Sequence, residues 1–113
     1  MAGRITKEMR LRRRAEFVCV QAEGQKLHGR HVLALARKRG AAELAGRLGI
    51  TVTKKVGNAV VRNRIKRMLR DWLRNHGWVP PGWDVVLVAK DSAARQGHPD
   101  DFAPDLTKIL RSL

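Results

Sequence analysis

The chain has 113 residues, 24 of them Lys or Arg and 10 Asp or Glu, for a net charge of +14 and a pI near 11.6. This length fits one domain with a modest core and not two; 43% hydrophobic residues exclude compositional disorder, and no apolar run reaches the roughly eighteen residues of a membrane span. A positive surplus this large points to a polyanionic partner.

Residues 1–10 lack periodicity and read as a flexible basic arm. No apolar signal core follows them, so export is not expected. Cys19 is the only cysteine, which rules out an internal disulfide, suits a reducing cytoplasm and reads as a buried structural thiol. A short helix is expected over 13–23, ended by Gly24, with Phe17 and Val20 together on one side. Phe17 suits the core, but an aromatic beside cations can also stack on an unpaired base. Residues 25–30 are polar and turn-like, and HVLALA (31–36) reads as a strand. Residues 37–46 form a loop, and RLGITVT (47–53) alternates apolar and hydroxyl-bearing residues as a half-buried strand does. The two strands are expected to pair antiparallel through that loop.

Residues 54–74, KKVGNAVVRNRIKRMLRDWLR, are dense in Lys and Arg, with Asp71 the only acid. Asn58 is a good N-cap and Gly77 a stop, so a helix starts at Ala59. Val61, Ile65, Met68, Leu69 and Trp72 recur at helical spacing and must be buried. Arg62, Lys66, Arg70 and Arg74 form a second ridge, with Asn63 and Arg67 beside it and Arg64 at the far margin of the apolar stripe. Like charges at i, i+4 oppose helix formation by roughly 0.2–0.5 kcal/mol per pair, whereas phosphate binding releases counterions and suits the Arg fork. A solvated face would more often mix signs, and a membrane-surface role competes with the need of this apolar stripe to cover a sheet.

Tandem prolines at Pro80 and Pro81 break the chain before WDVVLVAK (83–90), whose continuous apolar run marks an inner strand covered on both faces. Strand, helix and strand suggest a parallel pair joined by a crossover. Residues 91–99 read as loop. Asp101 is expected to cap a last helix bearing Phe102, Leu106, Ile109, Leu110 and Leu113, with Pro104 in its first turn. The order describes a single-domain α+β sandwich, helices on a sheet. His28, His31, His76 and His98 lack ligand spacing, no paired carboxylates or Gly-rich phosphate loop occur, and an autonomous nuclease is not expected.

The segment KKVGNAVVRNRIKRMLR, with Arg62-Asn63-Arg64 followed by Lys66, Arg67 and Arg70, resembles the signature of the bacterial ribonuclease P protein subunit. LRRRAEF (11–17) is similar to that family's first helix and GWDVVLVAK (82–90) to its last strand. The resemblance implies one RNA-binding domain over 1–113, with about four strands in a mixed sheet, three helices and a βαβ crossover that is left-handed, against the general right-handed rule. It implies a ribonucleoprotein that removes the 5′ leader of precursor tRNA, in which the RNA subunit performs catalysis with Mg2+ held mainly by RNA and substrate. By position, Lys54, Lys55, Arg62, Asn63, Arg64, Lys66, Arg67 and Arg70 would contact the RNA subunit. Arg12, Arg13, Phe17, Gln21, Val32 and Leu35 would line a cleft for the leader. Many members carry further aromatics where this chain has Gln21, Val32 and Leu35, so stacking here rests on Phe17. Charge and fold alone equally fit a structural ribosomal or general RNA-binding protein.

Overall fold

The computed structural model describes residues 9–39 and 45–113. Its elements in chain order are α1 (Arg14–Glu23), β1 (Gln25–His28), β2 (Val32–Lys38), β3 (Arg47–Thr51), α2 (Ala59–His76), β4 (Trp83–Ala89), 3₁₀ turns at Asp91–Arg95 and Pro99–Phe102, and α3 (Ala103–Arg111). The α+β sandwich is borne out: one four-stranded mixed sheet carries three helices. Of the expected basic arm, residues 1–8 lie outside the described residues, as do residues 40–44 of the expected loop; Arg10 bridges to Leu48 in parallel, covering the outer edge of β3.

The sheet order is β1-β2-β4-β3. β4 pairs antiparallel with β2 and parallel with β3, so the crossover through α2 forms as expected. The expected pairing of the strands at 31–36 and 47–53 does not: β4 lies between them. Val85, Val86 and Leu87 are all buried, and a strand apolar on both faces loses least to water when it has a neighbour on each side. The polar stretch at 25–30 is also more than a turn, since Gln25–His28 pairs with β2 as an edge strand. An edge strand can be solvated over most of its length, and here Leu27 alone packs toward the core.

Alternation divides the sheet into two faces. On one, Val32, Ala34, Ala36, Leu48, Val85, Leu87 and Ala89 pack against Ile65, Met68, Leu69, Trp72 and Leu73 of α2 and against Phe102, Leu106 and Ile109 at α3. Full burial of side chains such as Ile65 and Leu69 stabilises by about 1.5–3 kcal/mol each. On the other, Leu35 and Val86 pack against Val20 of α1 and Leu11, with Phe17, Leu33 and Val88 only partly buried. One short helix leaves much of this face open.

Two further expectations change. Residues 91–99 hold 3₁₀ structure in place of plain loop, and Asp101 caps the Pro99–Phe102 turn by accepting from the Gly97 and His98 N–H groups, both at 3.0 Å, so its carboxylate serves that turn and α3 follows from Ala103. Cys19 is half-buried where full burial was expected: its thiol donates to Glu23 Oε2 at 2.6 Å, and that contact is the main reason its pKa lies above the usual thiol range.

Candidate nucleic-acid interface

The helix α2 begins where its cap dictates. Asn58 Oδ1 accepts from Val61 N at 3.0 Å, and the helix ends at Gly77, whose φ of 152° favours glycine. Burial of the Ile65, Met68, Leu69 and Trp72 stripe turns the polar ridges outward. Asn63 and Arg67 are exposed, Arg62, Lys66 and Arg70 half-buried, and Lys54 and Lys55 exposed on the approach to the helix. Arg64 stands apart: its Nη2 donates to the Ala94 carbonyl at 2.9 Å, tying α2 to the 3₁₀ turn after β4.

One ridge residue, Arg70, is electrostatically uneasy. Burial lowers the pKa of Arg70, and the adjacent Arg10 lowers it further. Arg10, Arg67, Arg70, Asp71 and Arg74 line a groove of about 250 Å³, in which Asp71 is occupied by Arg74 at 2.9 Å. An anion there would relieve like-charge repulsion. Arg10 and Arg70 also line a neighbouring recess with Phe17, Gly49 and Trp78, so the cationic helix and the open sheet face meet at the β3 edge.

On the open face, cross-strand register aligns His28, Leu33, Val88 and Thr51 in one row across all four strands. Phe17 lies over Gly49, where an added Cβ would sit 2.5 Å from its ring; glycine is needed for the ring to come this close. Arg12, Arg13 and Gln21 are exposed, while Leu35, at 6% exposure, lies beneath α1. Val32 is a correction. It is 0% exposed and belongs to the α2 side of the sheet, because residues three apart on a strand point to opposite faces and Leu35 points toward α1. The β2 residue that faces the cleft is Leu33. Sequence reasoning missed Leu33 and Val88, which a parity check from Leu35 would have found, and Trp78, whose Nε1 donates to Gly46 O at 3.1 Å and which carried no local signal.

The site is thus a cationic helix face continuous with an apolar, aromatic-edged cleft. A family model described as Ribonuclease P matches residues 5–113. The chain belongs to the ribonuclease P protein family. It is 41% identical over 110 residues to the ribonuclease P protein component of Desulfovibrio desulfuricans, covering 96% of this chain and 80% of that protein. With the component from Thermotoga maritima it shares 34% over 114 residues, covering 100% and 96%. The solved ribonuclease P protein of T. maritima superposes with a TM-score of 0.79 at 30% identity, over 92% of this chain and 96% of that one. That of Staphylococcus aureus does so at 0.75 and 26%, over 93% and 94%. The resemblance in the Arg62-Asn63-Arg64 segment therefore extends to the whole fold, and this ribonuclease P protein is the protein component of the enzyme. No described helix is long and apolar enough to cross a membrane.

Proposed function

We propose that this ribonuclease P protein joins a catalytic RNA through the outer face of α2 and receives the single-stranded 5′ leader of precursor tRNA in the cleft beside α1. The observation that carries this reading is the continuity of the two surfaces at Arg10 and Arg70, which lets the catalytic RNA and the leader lie side by side on one protein. Lys54, Lys55, Arg62, Asn63, Lys66, Arg67 and Arg70 supply donors to RNA phosphates. Arg64 contributes through its remaining N–H groups, because one is held by Ala94. In the cleft, Phe17 offers a ring face, Leu33 and Val88 an apolar floor, and Arg12, Arg13 and Gln21 a polar rim; Leu35 supports the floor from below.

The endonucleolytic step, hydrolysis that frees the mature tRNA 5′ end, belongs to the RNA subunit. Among the described residues no group of three or more His, Cys, Asp or Glu could hold a metal ion, so these residues offer magnesium no ligand set, and on this reading RNA and substrate would hold the ion. A cytoplasmic setting fits the single free thiol.

The test is cleavage of a 5′-extended precursor tRNA by bacterial ribonuclease P RNA at low magnesium. Wild-type protein is expected to restore cleavage and folded Arg62→Ala/Arg67→Ala protein to lose most of that effect. Equal rescue by the two proteins would remove the α2 face from the reading.

A further inference from the structure

Near the cleft, where acidic groups should repel RNA, two of the chain's scarce carboxylates converge on one guanidinium. Arg47, on β3, donates from Nε to Asp84 Oδ1 at 2.8 Å and from Nη2 to Asp84 Oδ2 at 2.7 Å. Its third nitrogen, Nη1, donates to Glu16 Oε2 on α1. Asp84 is 1% exposed and takes a second, longer contact from Arg39 Nη1 at 3.3 Å. Glu16 reaches further: its other oxygen, Oε1, accepts from the backbone N–H of Arg12 at 3.1 Å and of Arg13 at 2.9 Å. We propose that Arg47 and Glu16 are positioning residues for the leader, an ionic strut from β4 through β3 that sets how α1, Arg12, Arg13 and Phe17 stand over the sheet.

Three observations favour a strut over a phosphate contact. All three guanidinium nitrogens of Arg47 are engaged by carboxylates, and two arginines against two carboxylates leave the cluster neutral, with no net attraction for RNA. The apolar anchorage of α1 is thin, for Val20 is its one buried residue, so an ion pair weighs more in its placement than it would for α2. The geometry is also local to the cleft: Gly49 lies two residues beyond Arg47, on the same face of β3, and the Phe17 ring rests on it. Ion pairs of this kind contribute little net stability against an apolar replacement, but they can select one arrangement.

The inference rests on the leader reading above, and its test separates the two. Holoenzyme reconstituted with ribonuclease P RNA is titrated with precursor tRNAs carrying a short leader and one long enough to reach Phe17. Glu16→Gln retains Oε1 for the Arg12 and Arg13 N–H groups and loses only the ionic arm; Arg47→Lys can hold one carboxylate but not both. Each is expected to reduce the affinity gained from the long leader by about threefold or more, part of the worth of one stacked base. RNA-subunit affinity, saturated kcat and short-leader binding should stay at wild-type values. A wild-type long-leader gain with the same gain in folded Glu16→Gln overturns the strut, and so does equal loss on both leaders. Absence of any gain in the wild type overturns the leader reading itself. If Arg47→Lys fails to fold, Glu16→Gln decides.

Discussion

Asp105 shows how one side chain can define a turn from far along the chain. Its carboxylate accepts from the consecutive N–H groups of Arg30, His31 and Val32, at 2.9, 2.7 and 3.0 Å, and so fixes the β1–β2 turn to α3. Gly29 is required beside it, since a Cβ there would sit 2.6 Å from Asp105 Cγ. Lys90 Nζ and Lys108 Nζ donate to the carbonyls of Gly29 and His28 at 2.6 and 3.1 Å, so the turn is held through both its donors and its acceptors. Asp105→Ala strands the Val32 N–H in the interior, while water can reach Arg30. We expect a loss of about 2–3 kcal/mol in denaturant unfolding, with RNA-subunit affinity of the remaining folded protein unchanged because no residue of α3 lines the groove of Arg10, Arg67, Arg70 and Arg74. An unchanged unfolding midpoint would mean that the turn is set by its own sequence.

At the level of elements, legibility followed how local the signal was. The bounds of α2 could be read because both ends carry their own chemistry, the Asn58 cap and the Gly77 stop, and because its apolar stripe repeats from Val61 to Trp72. Replacing Asn58 by Ala is expected to cost about 1 kcal/mol and to speed hydrogen exchange first at the Val61 amide, which loses its acceptor; slow exchange persisting there would contradict the cap. β1 went unseen because an edge strand with one inward residue has no alternation to detect. The supposed pairing of β2 with β3 failed for the opposite reason: the connection is local but the pairing is not, and only the two-sided apolar run of β4 hinted that it would be inserted between them. In the site, the cationic ridge was legible from helical periodicity, whereas Val32 was placed on the wrong face although its spacing from Leu35 already separated them. Trp78 and the Arg47 strut join residues about thirty apart or more in sequence, and no periodicity reports such pairings.

Across the whole molecule, the positive surplus is sharpened by how its acids are used. Glu16 and Asp84 are engaged by Arg47, Glu23 by Arg37, Asp71 by Arg74, and Asp101 and Asp105 by backbone N–H groups. These carboxylates already have partners within the chain, and of them only Asp71, on Arg74, offsets the outer face of α2. With Phe17 the ring that faces the cleft beside Trp78, the proposed mode of binding leans on phosphate pairing more than on stacking and is expected to weaken as counterions accumulate. If about five to eight phosphates are engaged, log affinity for the RNA subunit should fall against log salt with a slope of roughly −4 to −7. Arg62→Ala/Arg67→Ala should make that slope shallower by about 0.7–0.9 for each phosphate no longer neutralised. A double mutant that weakens binding yet leaves the slope unchanged would show that these two arginines act through shape and not through charge, and the electrostatic account of α2 would then fail even with the fold and the family intact.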